Sequence, residues 1–138
     1  MSWYRNTDGL GTFSEQQIVI NNSTTYPMYA QLFDADNDGD KDFVVKYQYE
    51  VNYVTFYRIS LFKYNGSGNF TEQIIANDLP KDVLGLAVAD IDNDGDVDVV
   101  MQIPSYGAVV FLNQGDGRFM KHHDYPISAR NDGKADVF

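Results

Sequence analysis

The chain has 138 residues with a formal net charge of −10, is 43% hydrophobic and 14% aromatic, and contains no cysteine. A chain of this size makes one ordinary domain with a buried core, and its apolar and aromatic content argues against disorder. The absence of cysteine excludes disulfides and thiol chemistry. The acidity argues against nucleic acid and anionic membrane surfaces as partners, and no apolar run is long enough to cross a membrane.

The first predicted element is a β-hairpin that begins at Trp3. It reads W-Y-R-N-T-D-G-L-G-T-F-S-E-Q-Q-I-V, in which an aromatic strand leads through a glycine-rich turn to Phe13 and a polar strand. Glycine-rich turns between two strands are typical of tight hairpins. Because the strand-like pair Trp3-Tyr4 follows Met1 almost directly, no secretion signal is visible at this end.

An acidic loop follows between two strand-like runs. It reads D-A-D-N-D-G-D-K-D from Asp34 to Asp42, with M-Y-A-Q-L-F before it and F-V-V-K-Y after it. These short β-branched and aromatic runs predict strands on both sides of the loop. Five carboxylates in nine residues repel one another. A hard divalent cation with oxygen ligands is the usual way to neutralise them, and Ca²⁺ is the usual cation.

The second hairpin and the second loop repeat this arrangement. The hairpin L-F-K-Y-N-G-S-G-N-F-T-E-Q-I-I-A begins at Leu61, and the loop D-I-D-N-D-G-D-V-D runs from Asp90 to Asp98. The flanking runs G-L-A-V-A and V-V-M-Q-I again predict strands. Together the two loops hold 10 of the 20 acidic residues, so the acidity of the chain is concentrated at these two places.

The spacing within each loop predicts one Ca²⁺ per loop, two per chain. In calcium loops the side chains at positions 1, 3 and 5 face the ion, position 7 supplies a backbone carbonyl, and glycine at position 6 allows a sharp turn. The predicted metal ligands are Asp34, Asp36, Asp38, Asp40, Asp42, Asp90, Asp92, Asp94, Asp96 and Asp98. A helix–loop–helix site is excluded, because position 12, which needs a bidentate Glu, is Val45 or Met101. The aspartate at position 9 therefore closes each cage. The alternative interpretation is a pair of solvated acidic turns, since Asp, Asn and Gly favour turns anyway.

A third hairpin and an incomplete loop end the chain. The hairpin V-F-L-N-Q-G-D-G-R-F-M-K-H-H-D begins at Val110, and Phe119 matches Phe13 and Phe70 of the earlier hairpins. The last segment, S-A-R-N-D-G-K-A-D-V-F, aligns with the loops but places Arg130 at position 3, so it is predicted to bind no metal. Since no segment has helical periodicity, the chain is predicted to be all-β. The repeats divide it into a half-repeat hairpin at 1–25, repeat units at 26–77 and 78–125, and a degenerate half repeat at 126–138.

Two further features have competing interpretations. One is an aromatic group made of Tyr47, Tyr49, Tyr53, Phe56 and Tyr57. These residues could form a sugar-binding surface, although such residues more often belong to the core of a sheet. The other is the pair His122 and His123, which on a strand face opposite sides and so do not favour a shared metal. The sequence contains no catalytic carboxylate pair, nucleophile elbow, phosphate loop or zinc spacing.

The pattern D-x-D-x-D-G-x-x-D between strands, alternating with W-Y-x-N-x-D-G-x-G-x-F, resembles the FG-GAP/VCBS repeats. These repeats build the β-propellers of integrin α-subunits and of many bacterial secreted proteins. The resemblance covers nearly the whole chain. It implies blades of four antiparallel strands around an axis, Ca²⁺ in loops at the blade edge, and adhesion or ligand binding on one face. Weak calcium sites fill where calcium is millimolar, which favours an extracellular or cell-surface location.

The chain departs from the family in its length. Family propellers usually contain about six or seven blades, and this chain has material for about three. Incomplete blades would leave sheet edges and apolar faces open. Either the chain is a fragment of a larger propeller, or several chains complete one ring. Because the two ends are complementary halves, the strand around Trp3–Asn6 is expected to pair with Ala135–Phe138 of a second copy, giving a homo-oligomer, most simply a dimer.

Two functions follow as hypotheses. The first is a calcium-binding β-propeller module for adhesion or recognition of a protein or carbohydrate ligand, without catalysis. The second is a carbohydrate-active protein, either a lectin or a polysaccharide-active enzyme on a propeller. An exposed aromatic patch near Asn or Arg, away from any metal, would favour the lectin. A basic residue and an unsatisfied carboxylate in one cleft would favour the enzyme.

Overall fold

The computed structural model describes residues 1–20, 25–79, 83–103 and 107–126, and these residues form ten β-strands and no helix. The strands are β1 (Ser2–Trp3), β2 (Gln17–Ile18), β3 (Thr25–Phe33), β4 (Asp42–Val51), β5 (Val54–Tyr64), β6 (Phe70–Leu79), β7 (Gly85–Ala89), β8 (Asp98–Ile103), β9 (Gly107–Asn113) and β10 (Phe119–Pro126). The all-β prediction is confirmed for this part of the chain. A helix long and apolar enough to span a membrane does not occur in it.

Most of the strands belong to two antiparallel sheets of four strands each. The first sheet has the order β3-β4-β5-β6 and the second the order β7-β8-β9-β10, so each sheet follows the chain as an up-and-down meander. Short connections between consecutive strands produce this arrangement, because antiparallel neighbours need only a tight turn between them. The strand-like runs predicted on both sides of each acidic loop lie within β3, β4, β7 and β8.

The first predicted hairpin forms a smaller sheet of its own. Only β1 and β2 are paired in it, and Asn6 and Phe13 add one isolated bridge. Phe70 and Phe119, which begin β6 and β10, pack against the cores of the sheets. Phe13 is 61% exposed. The three phenylalanines therefore occupy the same place in their hairpins, but only Phe70 and Phe119 pack against a core.

The larger core lies between the two sheets. Val44, Ile59 and Leu61 of the first sheet and Val99 and Val109 of the second are at most 1% exposed and belong to one cluster. Alternate residues of a strand face opposite sides, so each strand presents one set of side chains to this core. Burial of apolar surface, at about 25 cal/mol per Å², is the main force that holds the sheets face to face.

A smaller core lies on the other face of the first sheet, beneath the N-terminal hairpin. Its buried residues are Phe43, Val45, Tyr47 and Phe62. Met1 and Ile20 of the hairpin pack against them. Trp3 meets Tyr64 and Phe70 edge-on, with ring centroids 5.5 and 5.4 Å apart, which is a favoured aromatic geometry. The N-terminal hairpin therefore covers part of one face of the first sheet, and the second sheet covers the other.

Candidate metal centres

Each acidic loop connects the first two strands of its sheet and turns in the same way. Asn37 and Asn93, at the fourth position, have φ of 60° and 62°, and Gly39 and Gly95, at the sixth, have φ of 91° and 97°. Glycine adopts this left-handed region freely, and asparagine is one of the few other residues that tolerate it. The shared Asn-Asp-Gly segment thus gives both loops one backbone path.

The fold brings together the aspartates at positions 1, 3 and 9 of each loop. In the first loop, one carboxylate oxygen from each of three residues lies within 4.8 Å of the other two: Asp34, Asp36 and Asp42. The second loop repeats the arrangement with Asp90, Asp92 and Asp98. Oxygen ligands from alternating positions of a short loop are what Ca²⁺ prefers.

Asp42, at position 9 of the first loop, is fully buried. Its Oδ2 accepts the N–H of Ala35 at 2.9 Å and its Oδ1 accepts the N–H of Tyr64 at 2.8 Å. Burial raises the pKa of Asp42. The hydrogen bonds from Tyr64 and Ala35 lower it in part, while the charges of Asp36 and Asp38 raise it further. The carboxylate therefore ties the loop to the end of β5 as well as lying in the cluster.

Asp98 has the same place and the same bonds in the second loop. It is fully buried, and its two oxygens accept the N–H groups of Ile91 and Asn113, both at 2.8 Å. Asn113 ends β9 as Tyr64 ends β5. The aspartate at position 9 thus has a structural function in both loops, which the calcium pattern alone did not reveal.

Two buried carboxylate oxygens of the first loop, Oδ1 of Asp34 and Oδ1 of Asp36, have no hydrogen-bond partner among the residues that the structure describes. The other oxygen of Asp34 accepts the N–H of Gly39 at 2.9 Å, and that of Asp36 pairs with Lys63 Nζ at 2.9 Å. A buried carboxylate oxygen without a partner is energetically costly. A hard cation would satisfy both oxygens, so the residues of this loop fit Ca²⁺.

The second loop is more open, and charge crowding is its main feature. Asp90 and Asp92 are exposed, and Oδ2 of Asp90 accepts the N–H of Gly95 at 3.1 Å. Partial desolvation, and then the charges of Asp94 and Asp98, raise the pKa of Asp92. These carboxylates repel one another in the absence of a cation, so this loop also fits a divalent ion.

The remaining predicted ligands lie outside the two clusters of three. Asp38 and Asp94, at position 5, accept the N–H groups of Asp40 and Asp96, both at 2.9 Å, and so close the turn. The side chains at position 7 are also outside the clusters. The five-ligand set of each loop therefore stays a prediction, with three of the five side chains gathered in each loop.

The two loops contact each other. Nδ2 of Asn37 in the first loop donates to Oδ1 of Asp96 in the second at 2.6 Å. Lys63, which pairs with Asp36, also donates to the carbonyl of Asp116 in the β9–β10 turn at 3.0 Å. When the hairpins are aligned on their Gly-X-Gly turns, the place of Lys63 is taken by Leu112 in the second sheet. The ammonium group of Lys63 therefore lies beside the first loop, and the second loop has an uncharged leucine at the corresponding place. Lys63 could not be identified from the sequence, because no local pattern marks it.

Two predictions fall on residues whose structure is not described. The degenerate loop with Arg130 and the strand Ala135–Phe138 lie outside the described ranges. His122 is exposed on β10, and the side chain of His123 is not described. The metal-free state of the last loop and the arrangement of the two histidines stay predictions.

Comparison with known families gives one match. The model of the FG-GAP-like repeat matches residues 50–101, a segment that includes the whole second acidic loop. The predicted resemblance is confirmed there, and the chain carries an FG-GAP-like repeat. No curated protein and no solved structure matches the chain. A repeat of this family on two four-stranded antiparallel sheets indicates a β-propeller-like repeat module.

Proposed function

We propose that the chain is a calcium-binding, β-propeller-like repeat module that serves adhesion or ligand recognition and catalyses no reaction. One observation carries the proposal: two loops at corresponding places of two sheets gather aspartates from the same three positions within 4.8 Å. Two buried oxygens, Oδ1 of Asp34 and Oδ1 of Asp36, add support, because they have no hydrogen-bond partner among the described residues and a cation would satisfy both. Solvated acidic turns would not require buried carboxylate oxygens.

The proposed mechanism is electrostatic. Ca²⁺ supplies two positive charges to each group of carboxylates when bound. Asp34 and Asp36, like Asp90 and Asp92, provide the oxygens that have few other partners. Asp42 and Asp98 hold the loop to the third strand of each sheet through backbone N–H groups. Each loop thereby links the first three strands of its sheet and stiffens that end of the sheet. Because weak calcium sites fill at millimolar calcium, we place the module outside the cell or at the cell surface.

Self-association belongs to the same proposal. Among the described residues, β1 pairs with β2 only, and an unpaired edge invites another strand. Beside this edge a cleft of about 210 Å³ separates the N-terminal hairpin from the first sheet. Its lining includes Trp3, Phe43 and Leu32, and Leu32 is 68% exposed. We assign the cleft and the edge to a second copy of this chain, in a homodimer that completes a ring.

Calorimetry on chelator-treated protein tests the calcium sites. Titration with CaCl₂ should give two ions per chain, and Mg²⁺ should compete poorly because it prefers a small octahedral shell that retains water. Matched variants separate the loops: Asp34→Asn should remove one ion and Asp90→Asn the other. Fewer than one ion per chain would overturn the proposal.

A further inference from the structure

The end of the first sheet that lies away from the acidic loops carries a ladder of aromatic and cationic side chains. The Cζ of Arg58 lies 4.9 Å from the ring centroid of Tyr49 and 5.6 Å from that of Tyr47. Tyr49 in turn stacks on Phe56, with centroids 5.9 Å apart and planes 28° apart. Tyr49 is seven residues beyond Asp42 along β4, which puts the ladder about 20 Å from the first loop.

Polar groups at the end of β6 border the ladder. Asn77 and Asp78 are exposed, and Oδ1 of each lies within hydrogen-bonding distance of the Tyr49 hydroxyl, which has one hydrogen to donate. Arg58 donates from Nε to Asn77 at 2.6 Å and from Nη1 to the hydroxyl of Tyr47 at 3.1 Å. The border therefore places a guanidinium, a carboxylate and an amide beside the half-buried rings of Tyr49 and Phe56.

The turn between β4 and β5 places one more ring at this end of the sheet. Asn52 and Tyr53 have φ of 52° and 64°, a turn in which the second place is normally taken by glycine. A tyrosine there strains the backbone, because its Cβ comes close to the following carbonyl oxygen. Its side chain is 102% exposed, and in the described structure it makes no hydrogen bond or ring contact. The neighbouring Val51 and Val54 are also exposed, at 48% and 52%.

The contacts among Arg58, Tyr47, Tyr49 and Phe56 stabilise the fold. Tyr53 makes no comparable contact with the described residues. Tyr47 and Arg58 are held by partners, which explains their presence without any ligand. A strained, fully exposed tyrosine next to an aromatic ladder has no such explanation, and strain of this kind often marks a functional position. The exposed ring of Tyr53 and the polar groups of Arg58, Asn77 and Asp78 lie at the same end of one sheet.

We infer that this surface binds a neutral saccharide. Its six lining residues are Tyr49, Tyr53, Phe56, Arg58, Asn77 and Asp78. Aromatic rings offer the apolar faces on which pyranose rings stack, and a few convergent polar groups fix the hydroxyls. The carboxylate and the guanidinium form charge-assisted hydrogen bonds to hydroxyl groups, which are stronger than neutral ones.

The charge of the proposed surface favours a neutral saccharide over an acidic one. Arg58 is balanced by Asp78, and Glu72 adds a further negative charge through its bond to Tyr47 at 2.6 Å. The chain as a whole carries −10. An acidic polysaccharide would be repelled by this surface, whereas a neutral one would not. The inference deepens the proposed recognition function and rests on it, but its residues are separate from the calcium loops.

Native affinity electrophoresis of the full chain tests the inference. Gels with calcium and either yeast mannan, galactomannan or xyloglucan are compared with a blank gel and with a polygalacturonate gel. At least one neutral polysaccharide should retard the wild-type chain. Tyr53→Gly should weaken the apparent affinity about three- to tenfold, and Asp78→Asn should weaken it as well. Tyr26→Ser, an exposed tyrosine on β3, is the matched control and should migrate like the wild type.

The Tyr53→Gly variant also separates binding from folding. Since it creates the Asn-Gly pair that such turns prefer, its melting temperature should stay the same or rise. It should still bind two Ca²⁺ in calorimetry, so loss of retardation with intact calcium binding would support the inference. No retardation in any neutral gel, retardation by polygalacturonate alone, or equal retardation of Tyr53→Gly and wild type would overturn it. None of these results would contradict the calcium proposal.

Discussion

Asn113, at the end of β9, donates from Nδ2 to the carbonyl oxygen of Ala35 in the first acidic loop at 2.7 Å. The same nitrogen reaches the carbonyl of Val97 in the second loop at 3.2 Å. Its Oδ1 accepts the N–H groups of Gly115 and Gly117, both at 3.2 Å. The side chain is 1% exposed, so one buried amide holds both loops and a hairpin turn together.

Replacing Asn113 should therefore be costly. Asn113→Ala leaves buried carbonyl and N–H groups without partners, and we expect the free energy of unfolding to fall by about 2–4 kcal/mol. Urea denaturation at constant calcium measures the change. The matched control is Asn65→Ala, because Asn65 accepts the N–H groups of Ser67 and Asn69 in an exposed turn. The free energy of unfolding of Asn65→Ala should fall by about 1 kcal/mol or less. An equal loss in the two variants would contradict the expectation that the buried asparagine contributes more.

Positions 3 and 9 of the second loop should respond in opposite ways to removal of calcium. In EDTA, Asp92→Asn should raise the melting temperature, because it removes a charge crowded by Asp94 and Asp98. Asp98→Ala should lower it, because the N–H groups of Ile91 and Asn113 lose their acceptor. In saturating calcium both variants should be less stable than the wild type, which gains about 2.7 kcal/mol per site at a hundredfold excess over Kd.

Thermal scans with and without EDTA measure both effects. A wild-type melting temperature that EDTA leaves unchanged would show that the loops are acidic turns without a structural metal. If Asp92→Asn and Asp98→Ala had the same effect in EDTA, the structural function assigned to position 9 would be wrong.

Lys63 should weaken calcium binding at the first loop. Its Nζ lies 2.9 Å from Oδ2 of Asp36, and a nearby cation repels Ca²⁺ through partly screened Coulomb interaction. Lys63→Met should therefore tighten one of the two calcium sites about three- to tenfold. Calorimetry of Asp90→Asn alone and of Asp90→Asn with Lys63→Met isolates the first site. Equal affinities in this pair would contradict the prediction.

Tyr47 should make the fold sensitive to alkali. Burial, and then its hydrogen bond to Glu72, raises the pKa of Tyr47. The unfolded chain therefore loses this proton at lower pH, near 10, and stability falls as pH rises above about 10 until the folded residue also ionises. The expected slope is up to about 1.4 kcal/mol per pH unit. Tyr47→Phe should be less stable than wild type at neutral pH and should show a shallower loss above pH ~10. Parallel curves for the two proteins in urea denaturation between neutral pH and pH ~11 would refute this.

The proposed dimer predicts a concentration-dependent sedimentation coefficient. Deleting residues 1–6 should abolish the dimer and also destabilise the fold, because Trp3 packs on Tyr64 and Phe70. Leu32→Glu is the sharper variant, since this exposed leucine lines the cleft and can be changed without unfolding the sheet. It should dissociate the dimer, whereas Leu10→Glu, at a residue 90% exposed in the hairpin turn, should not. A wild-type chain that stays monomeric at high micromolar concentration would exclude the assembly.

The sequence by itself determined the local structure of this protein. Alternating and β-branched runs predicted the strands around the loops, because strand formation depends on neighbours along the chain. The Asp-Gly spacing predicted two equivalent turns, because only glycine and a few other residues adopt a left-handed backbone. Asn37 and Asn93 recur at the same position of the two loops. Their positive φ could have been predicted from this repetition, because asparagine is one of the few residues that tolerate a left-handed backbone.

Tertiary structure alone decided which side chains meet across the sheets. Asn113 and Ala35 are 78 residues apart, and Lys63 and Asp116 are 53 apart. Contacts of this kind depend on strand register and on how one sheet lies against the next, which no short segment encodes. Tertiary structure also explains why Tyr47 is buried under Arg58 whereas Tyr53, six residues later, is fully exposed. In the sequence both residues belong to one aromatic-rich segment. The geometry of the hairpin places Tyr47 in the core and Tyr53 at the tip of the turn.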